Sequence, residues 1–367
     1  MKPFGKIGTT VWFKEMENQK RYDRQVILPE IGLDGQQKLK NARVLVIGAG
    51  GLGCPLLLYL AAAGIGHMGI ADHDVVDESN LQRQILYQMA DIGGLKAEIA
   101  VNKLGLLNPD VDFRAYPFKL GMENAAELIA VYDLIIDGSD NFPTRYLVND
   151  TCVALNKTLV FGSIFRFEGQ VTVFNHKGGP DYRSLYPEPP AATEMPNCAE
   201  AGVIGTLPGI TGTLMANEAI KIICGFGEVL SGKLLLFNAL NNEMQVFGFG
   251  SHNVQNRRAV GQKGKMDVPA LPGPHEISPG QLAEWKNENI AYQLIDVREA
   301  YEYEEYHIGG INIPLYELSQ HIPALLQYEK IVFCCASGTR SKIALNLMKN
   351  NHKAECYTLI VSANQQT

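Results

Sequence analysis

"VLVIGAGGLG", residues 44–53, is an apolar, β-branched run that breaks abruptly into glycine. Such a run reads as a buried strand, and "GCPLLLYLAAAG" (53–64) directly after it reads as a helix. Gly48, Gly50, Gly51 and Gly53 therefore fall on a strand-to-helix turn. Glycines there let the backbone approach a phosphate, and the helix N-terminus adds free N–H groups and partial positive charge.

Outward from this turn, apolar runs alternate with helical segments. "HMGIAD" (67–72), "DLIIDGS" (133–139) and "TLVFGS" (158–163) read as strands. "LKAEIAVNKLGLL" (95–107), "MENAAELIAVY" (122–132) and "FPTRYLVNDTCVAL" (142–155) read as helices between them. The alternation predicts an α/β fold with a mostly parallel, Rossmann-like sheet. After 168 the texture changes. "GQVTVFN", "GKLLLFNA" and "NEMQVFGF" predict antiparallel strands, and "GTLMANEAIKIICG" predicts a helix stopped by glycine. Residues 176–197, rich in Pro and Gly, are expected to form a long loop.

Asp72 ends the second strand, where an acid hydrogen-bonds a ribose hydroxyl. These features alone fit an NAD-dependent oxidoreductase equally well. "DVVDESNLQRQ" (74–84) then supplies Asn80 and Arg83, and Lys96 follows. Two cations beside the glycine turn suit a triphosphate under attack, where they offset charge growing on phosphoryl oxygens. Asp140 and Asn141 are expected to end a third strand, with Asp140 a natural Mg²⁺ ligand.

The stretches "RYDRQVILPEIGLDGQQKLKNARVLVIGAGGLGCP" (21–55), "SNLQRQ", "DGSDN" and "EGQVTVF", in this order, resemble the MoeB/ThiF family. The resemblance covers about 20–248. It implies ATP-dependent adenylation of the C-terminal glycine of a ubiquitin-like sulfur carrier protein, as in molybdopterin or thiamin biosynthesis. It implies that Gly51, Asp72, Asn80, Arg83, Lys96, Asp140 and Asn141 hold ATP or its metal. It also implies that Arg24 reaches into a neighbouring subunit's site, hence a homodimer. Cys198, in "PNCAEAGV", resembles the cysteine that joins covalently to the activated carrier.

Near the C-terminus, Cys335-Ala336-Ser337-Gly338-Thr339-Arg340-Ser341 follows the strand "KIVFC" and precedes the helix "KIALNLMKNN". A tight loop of small residues there forms a nest of backbone N–H groups. A thiolate or persulfide on Cys335 is stabilised in such a nest, and Arg340 is expected to add charge. Cys334 is expected to close the buried strand as core packing. This loop and "LIDVREAYEYEEYHIGGINIPL" (294–315) resemble the rhodanese family over about 275–358. The resemblance implies sulfur transfer through Cys335 from a donor, either a cysteine desulfurase or thiosulfate. Other readings make the C-terminal unit a docking module, or the chain an oxidoreductase carrying one.

Three segments are expected: an adenylation domain over 1–248, a polar linker over 249–274, and a smaller rhodanese-like α/β domain over 275–367. Many members of the family carry zinc on two C-x-x-C pairs, a strong tetrahedral signal. Asp181-Tyr182-Arg183-Ser184 stands in place of the first pair and no second pair exists, so no zinc is expected. Ending in "YTLIVSANQQT", the chain also departs from the usual rhodanese close.

Composition narrows the classes. The 367 residues are 46% hydrophobic, enough for two cores, and carry a net charge of −7. No basic block suggests nucleic acid. The longest apolar stretch, "CPLLLYLAAAGIG", is about 13 residues and too short for a membrane span. Seven scattered cysteines and no apolar N-terminal segment point to the reducing cytoplasm.

Overall fold

The computed structural model describes residues 20–187, 202–249, 275–315, 317–335, 338–349 and 354–360. The chain divides near Val246 and Phe247 into two compact units, and the short stretch from Tyr182 groups with the second.

The first unit is an eight-stranded sheet. Its strands are β1 (Arg43–Ile47), β2 (His67–Ala71), β3 (Asp112–Tyr116), β4 (Leu134–Asp137), β5 (Thr158–Phe165), β6 (Glu168–Phe174), β7 (Lys233–Asn238) and β8 (Glu243–Gly248), in the order β3-β2-β1-β4-β5-β6-β7-β8. The first five pair in parallel. β6 then folds back on β5 and pairs antiparallel with both β5 and β7. Arg166, at φ 51°, makes the tight reversal between β5 and β6. The helices are α1 (Asp23–Val26), α2 (Gly32–Asn41), α3 (Gly53–Ala63), α4 (Lys96–Leu107), α5 (Ala125–Ala130), α6 (Phe142–Ala154), α7 (Tyr182–Leu185, in the second unit) and α8 (Thr206–Cys224).

The apolar sequence of α3 is buried nearly all round, and Gly64, at φ 84°, stops it in the left-handed conformation. Val44 and Val46 of β1 share one core with Leu56, Leu57 and Leu60 of α3 and Met215 and Ala219 of α8. Helix α8 passes so close behind the glycine turn that a Cβ on Gly212 would lie 2.4 Å from the Leu52 carbonyl oxygen. In this strand order the chain leaves β1 in one direction and β4 in the other. The crevice between them is the topological switch point where ligands bind in such sheets.

The second unit is a parallel four-stranded sheet of β9 (Gln293–Asp296), β10 (Ile311–Asn312), β11 (Lys330–Cys335) and β12 (Glu355–Ile360), in the order β10-β9-β11-β12. Helices α9 (Pro279–Asn287), α10 (Ala300–Glu305), α11 (Leu318–Leu325) and α12 (Thr339–Lys349) complete it. Ser278 caps α9 in a reciprocal box with Gln281.

The sequence expectations need four corrections. The 176–197 segment is not all loop, since it contains α7. β4 ends at Asp137 rather than at Asp140. Asp140 and Asn141 belong to the following turn, where Asn141 caps α6. β11 closes on Cys335, one residue later than expected. Among the described residues no helix is long and apolar enough to cross a membrane.

Candidate functional site

In the first unit two turns meet over the crevice between β1 and β4. Gly48 has φ 89°, and a Cβ there would come within 2.9 Å of the Gly138 carbonyl oxygen. On Gly53 a Cβ would lie 2.1 Å from the Gly48 oxygen. Both positions therefore require glycine. Gly51 is less confined, with Pro208 Cβ 3.3 Å from where its own Cβ would sit. At Gly50 a Cβ would meet only Gln84 Nε2, at 3.5 Å. The Oε1 of Gln84 is buried with no hydrogen-bond partner. A cradle of bare backbone fits the phosphates of a nucleotide, and the unused Gln84 oxygen can only accept from a donor.

Asp72 follows β2 at the rim. Its Oδ2 accepts the Ala49 N–H at 2.7 Å and its Oδ1 accepts the Asp74 N–H at 2.9 Å. The carboxylate thus ties the glycine turn to the next loop. Burial pushes its carboxyl up, with Lys96 opposing. Lys96 opens α4, is itself buried, and reaches Asp74 Oδ2 at 3.1 Å. Arg83 donates from Nη1 to the Ser79 carbonyl at 3.1 Å. Asn80 serves in a capping box with Asp77. Asn141 accepts the Thr144 N–H at 3.0 Å, and Asp140 stands exposed beside it. Glycines 48–53, Asp72 and Lys96 are brought together by these contacts. Arg24 is exposed on α1. Cys198 lies outside the described residues.

Sequence reading missed two groups here. Tyr87 donates its hydroxyl to the Ala49 carbonyl at 2.8 Å and so braces the turn from below. Arg145 holds the Ser139 carbonyl with two nitrogens, at 3.1 and 3.3 Å, and fixes the second turn. Neither stands in a glycine or charge pattern that would single it out. Cys54, at the start of α3, is no nucleophile: burial pushes its thiol up to about 12. The one group of three potential metal ligands among the described residues is Asp72, His73 and Asp74.

In the second unit, adjacent strand residues face opposite sides of the sheet. Cys334 therefore packs with Ile277, Leu294, Val332 and Leu359 in the core, and burial pushes its thiol up. Cys335 points the other way, toward the start of α12. Its sulfur accepts the Ser341 N–H at 3.3 Å and lies 3.4 Å from the Ser341 hydroxyl oxygen. Gly338, at φ 77°, turns the chain between them. Arg340 was expected to add charge to this sulfur. The structure gives its guanidinium another partner, Glu302, on which it closes with two nitrogens at 2.5 and 2.9 Å. A second buried pair joins Arg298 and Asp296.

Comparison with known proteins agrees with both units. The chain matches the ThiF family over residues 22–258 and the rhodanese-like domain over 278–362. It is 43% identical over 348 residues to a Mycobacterium tuberculosis protein described as "Probable adenylyltransferase/sulfurtransferase MoeZ", covering 91% of this chain and 88% of that one. It is 53% identical over 234 residues to the sulfur carrier protein adenylyltransferase of Thermus thermophilus, covering 62% of this chain and 86% of the relative. Among solved structures, Escherichia coli MccB with ATP aligns at a TM-score of 0.57 and 20% identity, over 68% of this chain and 81% of that one, a likeness of fold. The chain therefore belongs to the ThiF family, with a rhodanese-like domain after it.

Proposed function

We propose that the chain uses ATP to adenylate the C-terminal glycine of a ubiquitin-like sulfur carrier and then passes it sulfur from a persulfide on Cys335. The observation that carries the first half is the cradle of Gly48 and Gly53 with Asp72 clamped to Ala49 and buried Lys96 beside it.

A carboxylate at neutral pH is a poor electrophile. Its attack on the α-phosphorus of ATP forms an acyl phosphate bond, expels pyrophosphate and leaves the carrier as an acyl-adenylate. The work left to the protein is to hold two anions together. The glycine turn and the α3 N-terminus take phosphate oxygens, Asp72 takes the ribose, and Arg83 and Lys96 neutralise charge. Asp140 would hold Mg²⁺, which would supply further charge neutralisation, and Asn141 stands beside it. Arg24 completes a neighbour's site in a homodimer. No zinc enters this scheme.

The terminal sulfur of the Cys335 persulfide attacks the acyl carbon, AMP leaves, and an acyl disulfide results. Attack by the Cys198 thiolate on the Cys335 sulfur would release the thiocarboxylate and leave a Cys198–Cys335 disulfide for a cellular thiol to reduce. The sulfur donor is a cysteine desulfurase or thiosulfate, and the product serves molybdopterin or thiamin biosynthesis in the cytoplasm. The antiparallel β6 and β7 occupy the place where a dinucleotide fold repeats its parallel half, which disfavours an NAD enzyme.

The test is Cys335→Ala with a carrier ending in Gly-Gly. Carrier-dependent ATP–pyrophosphate exchange should continue and thiocarboxylate formation should stop. Loss of both, or retention of both, would overturn the division of labour.

A further inference from the structure

The pairing of Arg340 with Glu302 raises a question of charge. Among the described residues, which group meets the Cys335 sulfur directly? The contacts of the sulfur answer it. Ser341 has no exposed surface, and it meets Cys335 Sγ twice, through its N–H at 3.3 Å and its hydroxyl at 3.4 Å. In the protonated thiol, the S–H donates to Ser341 Oγ, while the Ser341 hydroxyl donates to the Gly338 carbonyl at 3.0 Å. That arrangement leaves the hydroxyl proton turned away from sulfur. Once the thiol proton leaves, Ser341 Oγ loses its donor and the sulfur becomes an acceptor. Rotation about one C–O bond then turns the hydroxyl proton from the Gly338 oxygen to the sulfur. Hydrogen bonds to an ionised partner are about twice as strong as neutral ones, so the rotated state is favoured.

We propose that Ser341 is a catalytic residue of the sulfur-loading step, its hydroxyl switching from Gly338 to Cys335 Sγ as the thiolate forms. The proposal rests on the reading of Cys335 as the sulfur-carrying cysteine. In the step itself, solvent base removes the Cys335 proton. The thiolate attacks the outer sulfur of a donor persulfide, a new Sγ–S bond forms, and the donor's S–S bond breaks. The donor leaves as a thiolate, with no net oxidation. A serine is suited to this step because its proton can be redirected without moving the backbone.

The test uses the full chain and the variants S341A, S341V and S341T. Alkylation of Cys335 by iodoacetamide is followed across pH by mass spectrometry of its peptide. S341A and S341V should raise the pH of half-maximal alkylation by about one unit, which corresponds to about 1.4 kcal/mol. Persulfide loading at pH 7 should slow about tenfold in both. S341T keeps the hydroxyl and should restore both quantities to near wild type, whereas S341V has its shape without the hydroxyl. Coincident alkylation curves for wild type and S341A would overturn the proposal, as would a shift in S341T equal to that in S341V. C335A separates the two readings. If it still forms thiocarboxylate, the sulfur-carrying role of Cys335 fails; if it does not and the alkylation curves coincide, only the role of Ser341 fails.

Discussion

Glu302 and Arg340 form a two-toothed ion pair inside the second unit, with both side chains only 8% exposed. The two residues stand 38 positions apart, and the pair ties helix α10 to the first turn of α12, next to Cys335.

Removing one partner of a buried pair leaves the other charge uncompensated, at a cost of about 3–5 kcal/mol. Glu302→Ala should therefore destabilise the second unit by that order and abolish sulfur transfer, while carrier-dependent pyrophosphate exchange stays intact. Denaturant unfolding followed by Trp285 fluorescence, in a Trp12→Phe background, reads the stability, because Trp285 packs on the second unit's core. A variant as stable as wild type would show that the pair is dispensable.

The same pair sets a pH dependence. Burial alone would raise the Glu302 carboxyl, but the hydrogen bonds and charge of Arg340 outweigh it and hold the carboxyl below its ordinary range. A carboxyl held low in the folded state contributes stability in full above the unfolded value, about 4.3, and loses it as pH falls through the lower folded value. Stability of the second unit should be level from pH 7 to about 5 and fall below about 4.3. Glu302→Gln should lack that component of the fall. Parallel curves for the two proteins in the acid range would contradict the assignment.

Gly53→Ala tests the cradle. A methyl group 2.1 Å from the Gly48 carbonyl cannot be accommodated without moving the turn. ATP–pyrophosphate exchange should drop by more than about a hundredfold, in line with misplacement of reacting groups by about 1 Å. Gly51→Ala meets Pro208 at 3.3 Å, a contact that yields by a few tenths of an ångström, and should keep a native melting profile. Equal exchange rates in the two variants would place the constraint elsewhere.

Lys96→Met tests the cation. Its ammonium is buried against Asp74, so it is held in place before ATP arrives. Loss of one preorganised charge-stabilising group costs about 10²–10³ in turnover. Exchange at a rate within about threefold of wild type, against that expected cost, would mean that Lys96 serves Asp74 alone.

The sequence was legible where period and glycine spacing carry the structure. β1, β2, β4 and β5 fall on the apolar runs read from it, and the antiparallel return of β6 follows the change of texture after 168. β3 was missed because it is an edge strand whose residues alternate between exposed and half-buried positions up to Tyr116, so its sequence "DFRAY" is only weakly apolar. α7 hid among prolines and glycines. In the candidate site, the glycines and Asp72 could be read because local backbone geometry demands them. The partner of Arg340 could not, since nothing local to Arg340 points to Glu302. Ser341 was visible only as the residue after the loop, and its meeting with Cys335 depends on the turn at Gly338. Strand β12 pairs along the whole of β11, so the atypical C-terminal sequence still supplies an edge strand.

The sulfur atom of Cys335 belongs to a residue with no solvent-accessible surface. Concealment of this kind shelters a reduced nucleophile from peroxide and stray disulfides between turnovers. It shuts out the donor equally well. Delivery must then wait for a brief local opening around the thiol.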